Sequence, residues 1–515
     1  MTLPASRRLV WLEAACGIAI LSALLYFSAS DLLSEFGGDN AVYWLTANHY
    51  SPYGATHPLA AEYAAASRYP PLYPLALAAF GGGTSVFAAH LVSAALLCVG
   101  LLAARAYYLV LGIPRAVALA LVVLLALVPI MRNGAIELQS EDLYLPLSLA
   151  ALALMVRYEN SSAPSRLALV GLLVAASLLT RTAGITLVAA CAAHALFARR
   201  PAWLLPIAIA ALAWAWNSHT QHSTNAYSHE LVDGYLRQGI GPRLLTQLEN
   251  LPLQWSLALG GLLETWPPVI LLSTLGFAFA CAAAGRAWRR HVDGYYALAY
   301  LAVLVVWPFP AEMQRLTSMI LPVLLGQAYL FVAARRALPA EHRPLIAAML
   351  VGVPILVFAL PDTVGFAVRM HSPVPALLEP YRRTAAWQQH EPQVAIMETA
   401  LRQAIYATLA DVDRLVPAGE CVYSIKPSVA SLYGRRRSLQ TPPDSDAVAF
   451  RAAALAGGCR YFVISLLVSP SARTLYHPLA ILRAELTPLA QHPDPFDPRK
   501  RLLAMLAKWT PPDAP

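Results

Sequence analysis

Charged residues are scarce in this chain of 515 residues. They make up 13% of it, whereas soluble domains carry roughly 25%. Lysine is almost missing, because its three copies are Lys426, Lys500 and Lys508, all in the C-terminal part. Hydrophobic residues make up 58%, and the mean hydropathy is +0.53. So small a charged fraction argues against a soluble globular protein and indicates an integral membrane protein.

Motifs of several common enzyme and nucleic-acid-binding classes are also missing. The sequence has no zinc-finger spacing, no phosphate-binding loop and no Ser-His-Asp pattern. Its 37 Lys and Arg exceed its 29 Asp and Glu, but they form no basic stripe with interleaved aromatic residues. The excess is mostly arginine in loops between apolar stretches, which indicates contact with anionic lipid. The sequence therefore predicts membrane lipid as a partner and no nucleic acid.

Apolar stretches recur along the first two-thirds of the chain. A membrane-spanning helix needs about 17–25 residues, and about eleven stretches reach or approach that length. The fourth to seventh are short, so the count is predicted to within one or two. The stretches lie near residues 9–28, 86–110, 114–131, 141–158, 166–180, 183–198, 202–217, 266–285, 294–310, 316–334 and 344–361. This pattern predicts an α-helical polytopic membrane protein.

Arginine falls mainly in alternate loops between these stretches. One set of loops has pairs or groups, such as Arg7 with Arg8 and Arg335 with Arg336, and the other set has mostly single arginines. Because arginine-rich loops stay cytoplasmic, the N-terminus is predicted to be cytoplasmic in a bacterial-type inner membrane. An odd number of spans then places the C-terminal part outside. The first stretch also fits a cleaved signal peptide, and residue 39 lies outside on either interpretation.

The chain is predicted to divide into three regions: residues 1–217 with seven spans, residues 218–361 with an outward loop and four further spans, and residues 362–515. The last region has the pattern of a small α/β domain. A helical period over 393–416 precedes a strand at residue 421, and short helices at 427–433 and 446–457 precede a second strand at 459–466. This strand–helix–strand order predicts parallel pairing of the two strands.

The six cysteines fall into two groups. Four lie in apolar stretches, where a thiol packs as a small apolar group: Cys16, Cys98, Cys191 and Cys281. Cys421 and Cys459 each open a predicted strand of the external domain. An oxidising compartment permits a disulfide between neighbouring strands, and this bridge is the prediction, with two buried thiols as the alternative.

The first outward loop has two short motifs in a fixed order. Asp39 lies in GGDNAVYW at residues 37–44, and about thirty residues later RYPPLYP occupies residues 68–74. The layout resembles the GT-C superfamily of integral-membrane glycosyltransferases, and in particular the protein O-mannosyltransferase and lipid A aminoarabinose transferase families. In that superfamily the first outward loop opens with a catalytic Asp, and a Pro-Pro-Leu-aromatic turn follows. The resemblance implies that Asp39 is a general base; the alternative is an Asp that caps the following helix.

The second outward loop, residues 132–142, has three acids beside a membrane helix. Such acids are costly there unless they are hydrated or paired. GT-C enzymes often have an acidic residue in this loop that faces the first-loop Asp, and Glu141 is the best match, followed by Glu137. Glu141 is assigned a catalytic role with Asp39, whereas Glu137 and Asp142 are candidates for substrate binding. The alternative is that Glu141 and Asp142 only complement a helix dipole.

A departing lipid phosphate needs a cation, and arginine can grip phosphate with two donors. Arg68 ranks first because GT-C enzymes often have a basic residue before the Pro-Pro pair, although here Tyr69 intervenes. Arg315 ranks second and Arg181 third, with a snorkelling arginine in a tight turn as the alternative for Arg181. Arg68, Arg315, Arg181 and Tyr69 are therefore the candidates for substrate binding.

Two histidines lie one helical turn apart in the loop after the seventh stretch, His219 and His222. This spacing suits a metal pair, and solvated histidines near a membrane surface are the alternative. No cofactor is required by the sequence, and a divalent metal is left open.

The resemblance implies an inverting glycosyltransferase at the outer face of the membrane. Its donor would be a polyprenyl-phosphate-linked sugar, and its acceptor a hydroxyl or amine of a glycan, lipid or protein. The sequence leaves the identity of sugar and acceptor open. The alternative is a non-enzymatic transporter of lipid-linked sugars, which would place ionisable residues near the midplane and show related halves.

Overall fold

The computed structural model describes residues 5–34, 36–220, 236, 239–261, 266–307, 313–388, 392–442, 446–467 and 477–511. These residues form two compact units. The first comprises residues 1–29, 66–76 and 90–365, and the second comprises residues 30–65, 77–89 and 366–515. The second unit therefore combines most of the predicted first outward loop with the C-terminal part of the chain. The three-region division made from the sequence stays a prediction.

Helices make up most of the described chain, and a small sheet lies near its C-terminal end. The helices are α1 Ala5–Ser28, α2 Asp39–Tyr50, α3 Ala60–Ala66, α4 Leu72–Ala79, α5 Val86–Val110, α6 Arg115–Leu127, α7 Pro129–Ile136, α8 Glu141–Arg157, α9 Pro164–Thr180, α10 Ile185–Phe197, α11 Leu204–Thr220, α12 Ile240–Ala258, α13 Trp266–Trp288, α14 Val292–Val306, α15 Met313–Ala333, α16 Arg343–His371, α17 Ala385–Gln388, α18 Pro392–Leu415, α19 Pro427–Gly434, α20 Ala447–Gly457 and α21 His477–Leu482. The strands are β1 Cys421–Ser424, β2 Arg437–Gln440, β3 Tyr461–Ser465, β4 Leu486–Pro493 and β5 Leu502–Trp509.

The first unit is a bundle of apolar helices, as the composition predicts. Within the described residues, five helices are long and apolar enough to cross a membrane: α1, α5, α13, α15 and α16. A sixth results if the bent pair α6 and α7 counts as one span. The predicted polytopic helical fold is thus present. Every predicted stretch overlaps a helix, but the count of about eleven spans is not confirmed, because several of these helices have fewer than 18 residues.

The bend of 61° between α6 and α7 has a local cause. Pro129 opens α7, and a residue before proline is pushed out of the helical region. Val128 accordingly has an extended conformation, with φ −67° and ψ 129°. The bend redirects the chain at the start of the predicted second outward loop. Arg132 of α7 contacts Asp362 of α16 at 2.7 Å, and both side chains are buried.

A buried polar cluster joins four helices of this unit around Asp293, at the start of α14. The Arg286 guanidinium contacts both carboxylate oxygens at 2.8–3.0 Å, and the Tyr107 hydroxyl donates to Oδ2 at 2.7 Å. The Gln327 amide donates to the Asp293 carbonyl at 2.9 Å. Asp293 is fully buried, so these partners compensate the cost of removing a carboxylate from water.

The second unit has a five-stranded sheet with the order β2-β1-β3-β5-β4. Strand β1 pairs in parallel with β2 and β3, and β5 pairs antiparallel with β3 and β4. The parallel pairing of the two predicted strands is therefore observed, with helices α19 and α20 on the chain between them. Strands β2, β4 and β5 were not predicted from the sequence. The runs of β2 and β4 are polar or interrupted by proline, and the apolar run of β5 has no β-branched residue.

The last long helix of the first unit continues further than predicted. The sequence indicated an end at residue 361, where Pro361 and Asp362 interrupt the apolar run, whereas α16 extends to His371. Residue 362 lies within this helix, and the division into three regions stays a prediction. Asp362 is accommodated there because it pairs with Arg132.

Cys421 and Cys459 form a disulfide, with Cα atoms 4.9 Å apart, across the paired β1 and β3 region. The bridge closes a loop of 38 residues. Replacing Cys421 by serine in the full chain should lower the free energy of unfolding of this unit by about 2–4 kcal/mol, because a cross-link of this length restricts the unfolded chain. Thermal melting with and without reductant measures the effect, and Cys281→Ser, at an exposed free thiol, is the control. Equal melting temperatures for Cys421→Ser and the unchanged chain would contradict this role of the bridge.

Candidate functional site

Glu141 lies between two arginines in the first unit. Its Oε2 is 2.6 Å from Nη1 of Arg181, and its Oε1 is 3.1 Å from Nε of Arg315. The Glu141 side chain is only 4% exposed, whereas those of Arg181 and Arg315 are 13% and 22% exposed. One buried carboxylate thus contacts two cations. Two guanidinium groups this close together are suited to bind a phosphate, because arginine can donate two hydrogen bonds to it.

Three helix ends bring these side chains together. Glu141 opens α8, and Arg181 follows the last residue of α9 in an extended conformation, with φ −149° and ψ 144°. Arg315 lies in the first turn of α15. Ser140 adds a hydroxyl that accepts a hydrogen bond from Arg181 at 2.8 Å. The sequence separates these residues by up to 174 positions, and their meeting is a property of the fold.

Buried tyrosines pack close to this cluster. The Tyr144 hydroxyl lies 3.4 Å from that of Tyr296, and Tyr300 donates to the Leu316 carbonyl at 2.9 Å. All three rings are fully buried. Rigid rings with bonded hydroxyls restrict the helix ends that present Glu141 and Arg315.

The remaining acids of the second loop have different surroundings. Asp142 is 1% exposed, and its Oδ2 has no hydrogen-bond partner among the described residues. The glycine at position 134 leaves space for the Asp142 carboxylate, because a Cβ atom at that position would lie 3.0 Å from Asp142 Oδ1. Glu137 is half-buried, ends α7 and accepts a hydrogen bond from Gln139. The structure brings Glu141 to Arg181 and Arg315, two of the three predicted arginines.

The arginine ranked first from the sequence lies elsewhere. Arg68 is exposed in the turn between α3 and α4, and it takes no part in the ion pairs of Glu141. Tyr69 is buried, and its amide donates to Ser67 Oγ at 3.4 Å. The ranking was based on a motif whose register Tyr69 shifts, and the structure favours Arg315 and Arg181 as the cations near an acid. A substrate-binding role for Arg68 and Tyr69 stays a prediction.

Asp39 belongs to the second unit, where it is half-buried as the first residue of α2. Gly38 occupies the N-cap position with φ +86°, a conformation that favours glycine. The Gly38 carbonyl accepts a hydrogen bond from Ser428 Oγ at 2.8 Å. The turn before Asp39 is therefore fixed by a side chain of α19. Whether Asp39 and Glu141 face one cavity stays a prediction.

Further contacts within the second unit hold the segment before Asp39. The Leu33 amide donates to the Tyr433 hydroxyl at 2.8 Å, and the Tyr406 hydroxyl donates to the Leu33 carbonyl at 2.7 Å. Arg402 lies over the Phe36 ring, 5.1 Å from its centroid. Sequence reasoning missed these positioning residues, because each is more than 360 positions away from its partner and no local motif signals it.

The segment after α2 is organised by Asn48 and His57. The Asn48 amide group donates to the carbonyls of Ala55 and Gly83, and its oxygen accepts from the His57 amide. His57 Nδ1 accepts from the Leu59 amide at 3.2 Å, and Nε2 lies 3.1 Å from the Leu432 carbonyl. Since Nδ1 accepts, Nε2 must carry the proton and donate. This geometry requires the neutral ring.

Burial lowers the pKa of His57 below its usual 6.5, against the opposing effect of its bond to the Leu432 carbonyl. The unfolded chain therefore binds a proton here more readily than the folded chain. The contribution of His57 to the free energy of unfolding is therefore complete above pH 6.5. It decreases as the pH falls below that value, because the unfolded chain takes up the proton first. We expect the melting temperature to drop less between pH 7.5 and 5.5 in His57→Gln than in the unchanged chain. His49→Gln, at an exposed histidine, is the control, and equal drops in all three proteins would contradict the expectation.

The candidate metal ligands are only partly described. His219 is exposed near the end of α11, and His222 lies outside the described residues. Within the part of the chain that the structure describes, no group of three or more His, Cys, Asp or Glu side chains could hold a metal ion. A divalent metal therefore stays open.

Solved structures with a similar fold share little sequence with this chain. ArnT from Cupriavidus metallidurans is 14% identical with a TM-score of 0.50, and the match covers 98% of each chain. The arabinofuranosyltransferase AftD from Mycobacteria is 17% identical with a TM-score of 0.50, and the match covers 100% of this chain and 40% of that one. An oligosaccharyltransferase from Archaeoglobus fulgidus is 12% identical with a TM-score of 0.47, covering 97% of this chain and 74% of that one. All three are GT-C glycosyltransferases.

The chain has the GT-C fold. No model of a known protein family matches the sequence, and no curated protein matches it. The GT-C fold is thus recognised through structure, and the resemblance of the first-loop motifs agrees with it. Fold alone does not assign a reaction, which has to be argued from the residues of the site.

Proposed function

We propose that this protein is a glycosyltransferase that moves a sugar from a polyprenyl-phosphate donor to an acceptor hydroxyl or amine. The observation that carries the proposal is the Glu141 cluster, in which two arginines share one buried carboxylate within a GT-C fold. A lipid phosphate that enters this cluster would be held by Arg181 and Arg315. ArnT and AftD, which have similar folds, are both glycosyltransferases, which supports the same class of reaction here.

The reaction requires one proton transfer and one displacement. Asp39 accepts the proton of the acceptor hydroxyl as its oxygen attacks the anomeric carbon of the donor. The bond between that carbon and the phosphate oxygen breaks, and the phosphate leaves with the bonding electrons. Arginine stabilises the additional negative charge on the departing phosphate. Attack opposite the leaving group inverts the anomeric centre.

The location follows from the charge pattern of the loops. We infer a multi-pass protein of the cytoplasmic membrane with a cytoplasmic N-terminus, because arginine-rich loops stay inside. The sheet of the second unit then lies outside, where its disulfide can form. The donor would bind with its lipid in the bilayer, and the acceptor would approach from the outer face.

Purified protein in lipid nanodiscs, supplied with a radiolabelled polyprenyl-phosphate sugar, tests the proposal. Acceptor extracts divided into lipid, glycan and protein fractions show which class takes the label. We expect label in one fraction together with an equal amount of free polyprenyl phosphate. In proteoliposomes, a donor that crosses the bilayer intact and transfers nothing to any fraction would favour a transporter and would overturn the proposal.

A further inference from the structure

An apolar groove runs along the surface of the first unit between three helices. Leu12 and Cys16 of α1 line one wall, and residues from Leu345 to Leu356 of α16 line the opposite one. Residues from Ala116 to Leu127 of α6 complete it. Its volume is about 510 Å³, which is in the range of small-molecule sites, roughly 300–1,000 Å³. No residue of the Glu141 cluster lines it.

The length of the groove suits one lipid chain. Helix α6 contributes along eleven residue steps, which correspond to about 16 Å at 1.5 Å per residue. One leaflet of the hydrocarbon core is about 15 Å thick, half of the bilayer value. A groove of this length can therefore hold an acyl chain that enters from one leaflet.

Arginines lie at the N-terminal ends of the three helices that line the groove. Arg115 opens α6 directly before the lining residue Ala116, and Arg343 opens α16 two residues before Leu345. Arg8 of α1 lies one helical turn before Leu12. Each of the three helices thus has an arginine in its first turn, before its groove-lining residues, and Arg8 and Arg115 are exposed. An anionic lipid needs an apolar surface for its acyl chain and cations for its phosphate. The groove and the nearby arginines offer both.

We propose that this groove binds one anionic phospholipid, with an acyl chain between α1, α6 and α16 and its phosphate near Arg8, Arg115 and Arg343. The proposal does not depend on the transfer reaction. A second copy of the chain is a poorer occupant, because a two-fold contact through this face would bring the same arginines of both copies together. The bound lipid joins α1 to helices that follow it by more than 100 and 300 residues.

Gly352 offers a direct way to fill the groove. A Cβ at this position would lie 3.5 Å from Leu124 Cδ2, an ordinary contact, so the backbone can accept a side chain while a phenylalanine ring would occupy the space of the acyl chain. Gly285 of α13 is the matched control, because nothing lies within 4 Å of its Cβ position and it does not line the groove.

The test is native mass spectrometry of the full chain, purified in detergent and incubated with equal amounts of phosphatidylglycerol and phosphatidylethanolamine. The unchanged protein should retain one phosphatidylglycerol in preference to phosphatidylethanolamine by at least fivefold. Gly352→Phe should lose the bound lipid, and the triple variant Arg8→Gln, Arg115→Gln, Arg343→Gln should lose the preference. Gly285→Phe and the control triple Arg166→Gln, Arg199→Gln, Arg289→Gln should behave as the unchanged protein does.

Each contrary outcome is decisive. Equal retention of both lipids by the unchanged protein, or the same preference in the arginine triple variant, would overturn the anionic site. A protein that carries no lipid and appears as a dimer, with Gly352→Phe monomeric, would assign the groove to a second copy. If Gly352→Phe fails to fold, as judged by size-exclusion chromatography and melting temperature, the arginine triple variant still tests the proposal.

Discussion

Replacement of Asp39 by asparagine should reduce the rate of sugar transfer by about 10²–10⁴-fold, because an amide cannot accept the proton of the acceptor. The protein should remain folded. Asp39 is half-buried at the first turn of α2, and the turn before it is held by the hydrogen bond from Ser428 to the Gly38 carbonyl, which the substitution leaves in place. Initial rates at saturating donor and the melting temperature measure the two effects.

Glu62→Gln is the matched control for this prediction. Glu62 is an acid of the same unit, about half exposed, and pairs with Arg437 at 3.2 Å. An exposed ion pair contributes about 0–1 kcal/mol, so its loss should leave transfer unchanged. Transfer by Asp39→Asn at a rate within about twofold of the unchanged protein would exclude Asp39 as the base.

A variant at Ser428 distinguishes the positioning of Asp39 from proton transfer by Asp39. Ser428→Ala removes the hydroxyl that bonds the Gly38 carbonyl and leaves the Asp39 carboxylate intact. A positioning role therefore implies a smaller loss of rate than in Asp39→Asn. Ser428 is one of several side chains from the C-terminal part, with Tyr406 and Tyr433, that contact the segment around Asp39.

The local sequence pattern was sufficient to predict most helices of the first unit and part of the sheet. Apolar length located most helices of the first unit but missed α12, Ile240–Ala258, which lies where an outward loop was predicted. Strand propensity with flanking turns located β1 and β3, whose cysteines are bonded. The number of spans could not be derived in the same way, because α9, α10 and α14 are apolar but have only 17, 13 and 15 residues. Length alone does not decide whether such a helix crosses a bilayer.

The composition of the candidate site depended on contacts that sequence spacing does not encode. Arg315 and Arg181 were candidates as single residues at span ends, but their shared partner Glu141 was visible only in the fold. Arg68 was preferred because a motif placed it near Pro70, and the structure leaves it exposed. Asp362 ended a predicted span, although the buried Arg132 compensates its charge. A charge in an apolar run is thus informative only when its partner is known.

Replacement of Glu141 by glutamine should destabilise the first unit by about 3–5 kcal/mol, because Arg181 and Arg315 would lose the carboxylate that balances them. A fall in melting temperature measures this loss. Glu379→Gln is the control, since Glu379 is 54% exposed and its pair with Arg382 is worth about 0–1 kcal/mol.

The same variant tests whether the two arginines receive a lipid phosphate. If a phosphate takes the place of the missing carboxylate, polyprenyl phosphate should raise the melting temperature of Glu141→Gln more than that of the unchanged protein. Stabilisation by a ligand grows with its affinity for the folded state, so the larger shift reports tighter binding. Glu141→Gln combined with Arg181→Gln should lose this additional shift, because one of the two phosphate donors is gone. An equal shift in all three proteins would show that the phosphate binds elsewhere, and the Glu141 cluster would then be a structural ion pair.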